Sequence, residues 1–264
     1  MKNILQEKLS QNQSTYNQAE LAWCLENIGH WDPDIRDNLV YLSFCKMLDQ
    51  ESLSVEQFQL LGYWCREKHT LFAQLDKHGE ATLKRSFTAL LQVLLLWADA
   101  REGSIYKGQL DDQSRVYLLQ SALDYLQVEK DDTAFHSEYG WVHAFAHGAD
   151  LLAEAVVHPD FSMENFQQVL EILEYLFKNR SRRFLGDEEL RLAAVVTRPI
   201  LSGKVKIEPV LGWLEQLNLP LESDLDYDRR LSFRLFALTI YVDLDQAQKL
   251  DQSAKATLYK WIAL

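Results

Sequence analysis

The chain has little of what breaks a helix. Its 264 residues include only 10 glycines and 5 prolines, below the usual usage of about 7% and 5%. Both residues are poorly tolerated inside helices, so their scarcity predicts helix along most of the chain. No stretch alternates β-branched with polar residues long enough to predict a strand; ALTIYVDL at 237–244 comes nearest. Long apolar runs are missing as well. The longest, Ala89 to Ala98, falls far short of the roughly 20 residues that span a bilayer, which excludes a membrane-integral reading. The opening MKNILQEKLSQNQ has neither the apolar centre nor the small-residue cleavage site of a secretory leader. The expected location is therefore the cytoplasm.

Positive charge is in short supply. Against 39 Asp and Glu there are 27 Lys and Arg, a formal net charge of −12. A phosphate backbone is repelled by such a field, so nucleic acid is not an expected partner, whereas a cationic small molecule or basic protein surface would suit it. The basic cluster Lys178, Arg180, Arg182 and Arg183 follows an expected helix C-terminus, where the backbone dipole favours cations, and reads as a solvated helix end. Cysteine is scarce too. Cys24, Cys45 and Cys65 lie in apolar helical contexts without C-x-x-C spacing, which predicts buried reduced thiols.

Several signatures of known chemistry are absent: G-x-S-x-G, the Walker loop and the dinucleotide fingerprint. Asp224, Asp226 and Asp228 imitate the start of a calcium loop. Arg229 stands where that loop needs glycine, and Leu235 where it needs glutamate.

What is present is apolar periodicity. Apolar residues make up 47% of the chain, enough for a large core. Asp32-Pro33 predicts an N-cap and first-turn proline, and Ser54 with Gln57 a capping box. Helices are expected over 80–100, 112–126, 138–157, 162–178, 187–201, 205–217, 227–243 and 246–263, with Pro199 interrupting or ending one of them. Helix starts recur every 20 to 27 residues or so, which suggests stacked αα-hairpins. No linker or low-complexity tract divides the chain. The expected fold is all-α, an irregular αα-hairpin or HEAT-like helical repeat array forming a single domain over 1–264.

The segment 138–157 stands out. Its polar side chains are His143, His147, Asp150 and Glu154, spaced i, i+4, i+7 and i+11 on one narrow stripe. Nearly everything else from Trp141 to Val157 is apolar or glycine, which predicts a central helix, with Gly140 and Gly148 admitting a close neighbour. Three readings of the stripe compete: a paired structural network, a binding groove, or a metal site using His143, His147 and Asp150. H-x-x-x-H suits a divalent ion such as zinc or iron. Ala144 occupies the position where a zincin carries its glutamate, so only a generic two-histidine-plus-carboxylate site remains. Glu138 or Glu188 would then act as base.

The segment GWVHAFAHGADLL resembles the central motif of a bacterial family, domain of unknown function 2785. IGHWDPDIRDNL, RSFTAL and DEELRL resemble further motifs of that family, in order, from about residue 20 to at least 195. Thr133-Ala134 departs from the Arg-Gly pair expected before the GW motif. The resemblance implies a helical, repeat-like fold and no activity, and gives weight to Arg36, Asp37, Arg85, Trp141, His143, His147 and Asp150. Arg36 and Arg85 are expected to pair with Asp150 or Glu188, since charges on apolar helices need partners. The resulting expectation is a scaffold that binds a protein partner or small ligand along a groove lined by Trp141, His143, His147, Asp150, Glu154, Arg36, Arg85 and Glu188. A metal-dependent hydrolase is the alternative.

Overall fold

The computed structural model describes residues 1–263. It is almost entirely helical, as expected, and its helices stack as in a HEAT-like repeat. The chain divides into two compact units, Met1–Leu151 and Leu152–Leu264. None of the described helices is long and apolar enough to cross a membrane.

The first unit holds α1 (Lys2–Ser10), α2 (Gln18–Glu26), α3 (Pro33–Ile35), α4 (Leu42–Asp49), α5 (Val55–Lys68), α6 (Glu80–Ala100) and α7 (Asp112–Val128). A π-helical stretch, Arg36–Tyr41, joins α3 to α4. The sequence signals act locally as read. The Asp32 side chain accepts from the Asp34 N–H with Pro33 in the first turn, and Ser54 and Gln57 form a reciprocal capping box. Helix α6 is the axis of this unit and packs against α4, α5 and α7. Its Leu83, Leu91, Leu95 and Leu96 are buried, each contributing on the order of 1.5–3 kcal/mol.

The second unit holds α9 (Phe166–Asn179), α10 (Glu188–Leu201), α11 (Glu208–Gln216), α12 (Asp224–Gln246) and α13 (Gln252–Ile262). Helices α10 and α12 lie side by side. Glu189 reaches Ser232 and Thr197 reaches Asp243, so the two helices run in the same direction. Helices α9, α11 and α13 pack in succession on each other and on α12. Parallel alternate helices are what stacked αα-hairpins produce. ALTIYVDL lies wholly inside α12: its Ala237, Ile240 and Leu244 recur at helical spacing and are buried. Pro199 sits in the last turn of α10 without stopping it before Leu201.

One expected helix differs in its first turns. Residues 138–143 are not helical. Residues 138–141 belong to a short antiparallel hairpin of β1 (Phe135–His136) and β2 (Gly140–Trp141), and Val142 and His143 lead from it into α8 (Ala144–Val157). Gly140 at φ +71 and His143 at φ +49 take left-handed backbone, which no helix tolerates. Helix α8 is otherwise as central as its sequence predicts. Its Leu151, Leu152, Ala155 and Val156 are buried. A Cβ on Gly148 would lie 2.6 Å from Leu126 Cδ2, so α7 approaches as closely as the glycine permits.

Candidate functional site

The site is built around three successive residues of α6, Arg85, Ser86 and Phe87. Successive helical positions are turned by about 100°, so each side chain addresses a different neighbour.

Phe87 carries Arg36 on its ring, with the guanidinium carbon 4.7 Å from the ring centroid. Arg36 is fully buried despite its charge. Its Nε and Nη2 donate to the Asp37 carboxylate at 2.8 and 3.2 Å. Its Nη1 donates to the His30 carbonyl at 3.0 Å, and its Nη2 to the carbonyls of Tyr139 at 2.7 Å and Trp141 at 3.3 Å. The rigid five-donor fork thus ties the start of α3 to the β1–β2 hairpin. Burial pushes the Asp37 carboxyl up from its ordinary range, against the opposing pull of the Arg36 charge.

Ser86 is fully buried and donates its hydroxyl to the Val142 carbonyl at 2.5 Å. The same oxygen lies 2.8 Å from His147 Nδ1. His147 also meets Phe87 edge-on, at 5.3 Å between centroids. Next to it, the rings of His143 and His147 are 5.7 Å apart. His143 precedes α8, and its carbonyl accepts the first helical bond, from His147 N–H at 2.9 Å. Its ring lies 4.4 Å from Trp141. Trp141 in turn meets Phe135, its cross-strand partner, at 5.1 Å and 73°. Phe135 and Trp141 are 58% and 50% exposed. The outer face of the hairpin is therefore aromatic, and the two histidines lie behind it.

Arg85 points elsewhere. Its Nε and Nη2 grip Glu129 at 2.7 and 2.9 Å, with both side chains fully buried. The carbonyls of Ala73, Gln74 and Lys77 take its remaining donors. The Tyr125 hydroxyl and the Asp131 N–H complete Glu129. Asp131 accepts from the Thr82 hydroxyl, the Gly79 N–H and the Thr133 N–H. This network is saturated, which is how buried charge is tolerated.

The expected pairing of Arg36 and Arg85 with Asp150 or Glu188 is thus replaced by Asp37 and Glu129. Asp37 is the next residue after Arg36, so that pair needs little further ordering, whereas Glu129 at the end of α7 reaches Arg85 across 44 residues. The structure brings together Trp141, His143, His147 and Arg36. Asp150 is half-buried one helical turn along α8. In the second unit, Glu154 accepts from Arg198 Nη2 at 2.6 Å, and Glu188 accepts from the Gly186 N–H at 2.8 Å. Sequence reasoning missed Ser86, Phe135, Glu129 and Asp131. RSFTAL pointed to the first, but acids at a helix end look solvated, and nothing local marks Glu129 or Asp131 as buried.

Among the described residues no group of three or more His, Cys, Asp or Glu side chains could hold a metal ion. The expected set His143, His147 and Asp150 does not form such a group among the described residues. His143 lies just before the helix, and Nδ1 of His147 is engaged by Ser86. The cysteines carry no disulfide, and Cys24 and Cys65 are buried. Burial raises the Cys24 thiol to about 12 and pushes Cys65 up as well, so neither is a nucleophile at neutral pH. The calcium-like acids open α12 instead, where the Asp226 carboxylate accepts from the Ser223 hydroxyl. The basic cluster departs from a solvated helix end at Arg180, which is buried and stacked on Phe184 at 4.3 Å.

A family model described as "Protein of unknown function (DUF2785)" matches residues 71–246. The matched span contains Arg85, Ser86 and the whole hairpin with α8, whereas Arg36 lies before it. No curated protein and no solved structure matches the chain.

Proposed function

We propose, for a chain that belongs to the DUF2785 family and takes no activity from it, that the protein is a helical scaffold whose β1–β2 hairpin recognises a protein partner or small ligand. One observation carries the reading. A fully buried arginine is committed to the hairpin backbone, and the side chains that this backbone presents are exposed aromatics. Exposed Phe and Trp on a mobile loop would lose entropy on binding. On a pinned backbone most of that cost has been met in folding. Aromatic residues also provide large contact area for few rotatable bonds. His143 and His147 lie behind the hairpin and supply polar groups, with Asp150 one helical turn further along α8. Free cysteines and an acidic composition suit the cytoplasm as its place of action. The metal-dependent hydrolase has no observation in its favour.

The test is photo-crosslinking in cells with p-benzoylphenylalanine in place of Phe135. A discrete adduct there, absent when the same residue replaces exposed Val116 on α7, supports the reading. Equal labelling at both positions, or none at either, overturns it.

A further inference from the structure

We propose that a cavity in the second unit, between the start of α9 and the segment joining α10 to α11, binds a small apolar carboxylate, with Lys204 meeting its charge. The inference uses no residue of the hairpin and goes beyond the recognition role given to it above.

Three observations carry it. The first is shape. The cavity measures about 730 Å³, inside the range of about 300–1,000 Å³ that small-molecule sites occupy. A 3-10 turn, Met163–Asn165, leads into α9 on one side, and residues 202–207 lead into α11 on the other. Phe166 and Val205 are buried side chains of its lining, and Met163 and Pro209 extend the apolar surface. Such a lining gains free energy by covering hydrocarbon. The second is the state of Lys204, which also lines the cavity. Its ammonium donates to the His158 carbonyl and stands 5.7 Å from the centroid of the Phe161 ring, and both of these partners are neutral. Among the described residues Lys204 forms no ion pair. Burial nevertheless withdraws it from water and lowers its pKa, against the pull of Asp160. An ammonium has three donors, so donors remain for an anion, and a carboxylate would supply the counter-charge that the desolvated group lacks. The third is the remaining charge of the lining. Lys206, Glu164 and Glu208 are exposed, so water screens them more than it screens Lys204. The two acids disfavour a ligand of high negative charge such as a phosphate ester. A single carboxylate on an apolar body fits both the lining and its charge.

The experiment follows the methyl signal of Met163, one of three methionines in the chain, by NMR of the full-length protein labelled with carbon-13 at the methionine methyls. Met163→Leu assigns the signal. Octanoate, its neutral analogue octanamide, and acetate are titrated separately at pH 7.5, where a carboxylate is ionised. Octanoate is expected to shift the Met163 signal and to leave those of Met1 and Met47 in place. Its affinity is expected to exceed that of octanamide about tenfold, the scale of one hydrogen bond to a charged group. Acetate brings the charge without the apolar area and is expected to cause no shift. In Lys204→Met, which keeps the length of the side chain and loses its charge, octanoate and octanamide are expected to bind alike. If that variant loses its helical circular dichroism, the comparison of the two probes in the wild type decides alone. An unmoved Met163 signal, equal shifts at all three methionines, or equal affinity of octanoate and octanamide in the wild type overturns the proposal. So does a preference that persists in folded Lys204→Met, or an acetate shift as large as that of octanoate.

Discussion

The Ser86 hydroxyl and His147 Nδ1 meet at 2.8 Å, and this contact fixes which imidazole nitrogen carries the proton. A hydroxyl has one hydrogen, and Ser86 directs it at the Val142 carbonyl. His147 must then donate, so its neutral form is the Nδ1–H tautomer, with Nε2 as an acceptor. Nitrogen-15 NMR of the histidine rings is expected to show this less common tautomer for His147, and Ser86→Ala is expected to release it. An Nε2–H signal in the wild type would contradict the hydrogen-bond assignment.

Arg85 and Glu129 form a buried, doubly bonded pair. Removing one partner leaves the other charged and unpaired in the core, so Arg85→Ala is expected to lose about 3–5 kcal/mol of stability in urea denaturation. Replacing both, as in Arg85→Met with Glu129→Met, is expected to lose much less. If the double variant is no more stable than the single ones, desolvation is not the dominant cost.

Arg36→Lys separates the charge of Arg36 from its fork. The ammonium keeps one positive charge but cannot reach Asp37, His30, Tyr139 and Trp141 together. The expected result is local: faster hydrogen exchange in residues 135–142, including the Val142 amide that bonds to the Ala134 carbonyl at 2.8 Å, with α10 and α12 unaffected. Uniformly raised exchange across the chain would show that Arg36 supports the fold at large.

Glu189 is buried at the start of α10, and burial raises its carboxyl above the ordinary range, with Glu188 adding to the effect and a Ser232 hydrogen bond opposing it. An acid raised in the folded state disfavours folding when ionised, and the penalty lifts as pH falls through the raised value. Glu189→Gln is therefore expected to raise the melting midpoint at pH 7.5, by a few degrees or about 1 kcal/mol. The advantage should shrink on acidification. A lower midpoint at pH 7.5 would mean that the charged form is the stabilising one.

The helices were legible because their signals are local. The Ser54–Gln57 box and the span 80–100 appear in the structure as read. The apolar stripe of α8 was legible for the same reason: its burial repeats with the helical period. The turns before α8 were not. Gly140 and His143 are compatible with a helix by pattern, and only the backbone shows that both are left-handed.

Composition, periodicity and caps by themselves determined that this chain is all-α, acidic and repeat-like, and that α8 would be central. Each of those properties is written in neighbouring residues, within the few positions that one helical turn connects. Which charges are buried was decided only by tertiary structure. Arg36 is separated from Tyr139 by 103 residues and Arg85 from Glu129 by 44. Partners that far apart leave no periodic trace, because their match depends on how the helices pack and not on the spacing of the residues along the chain.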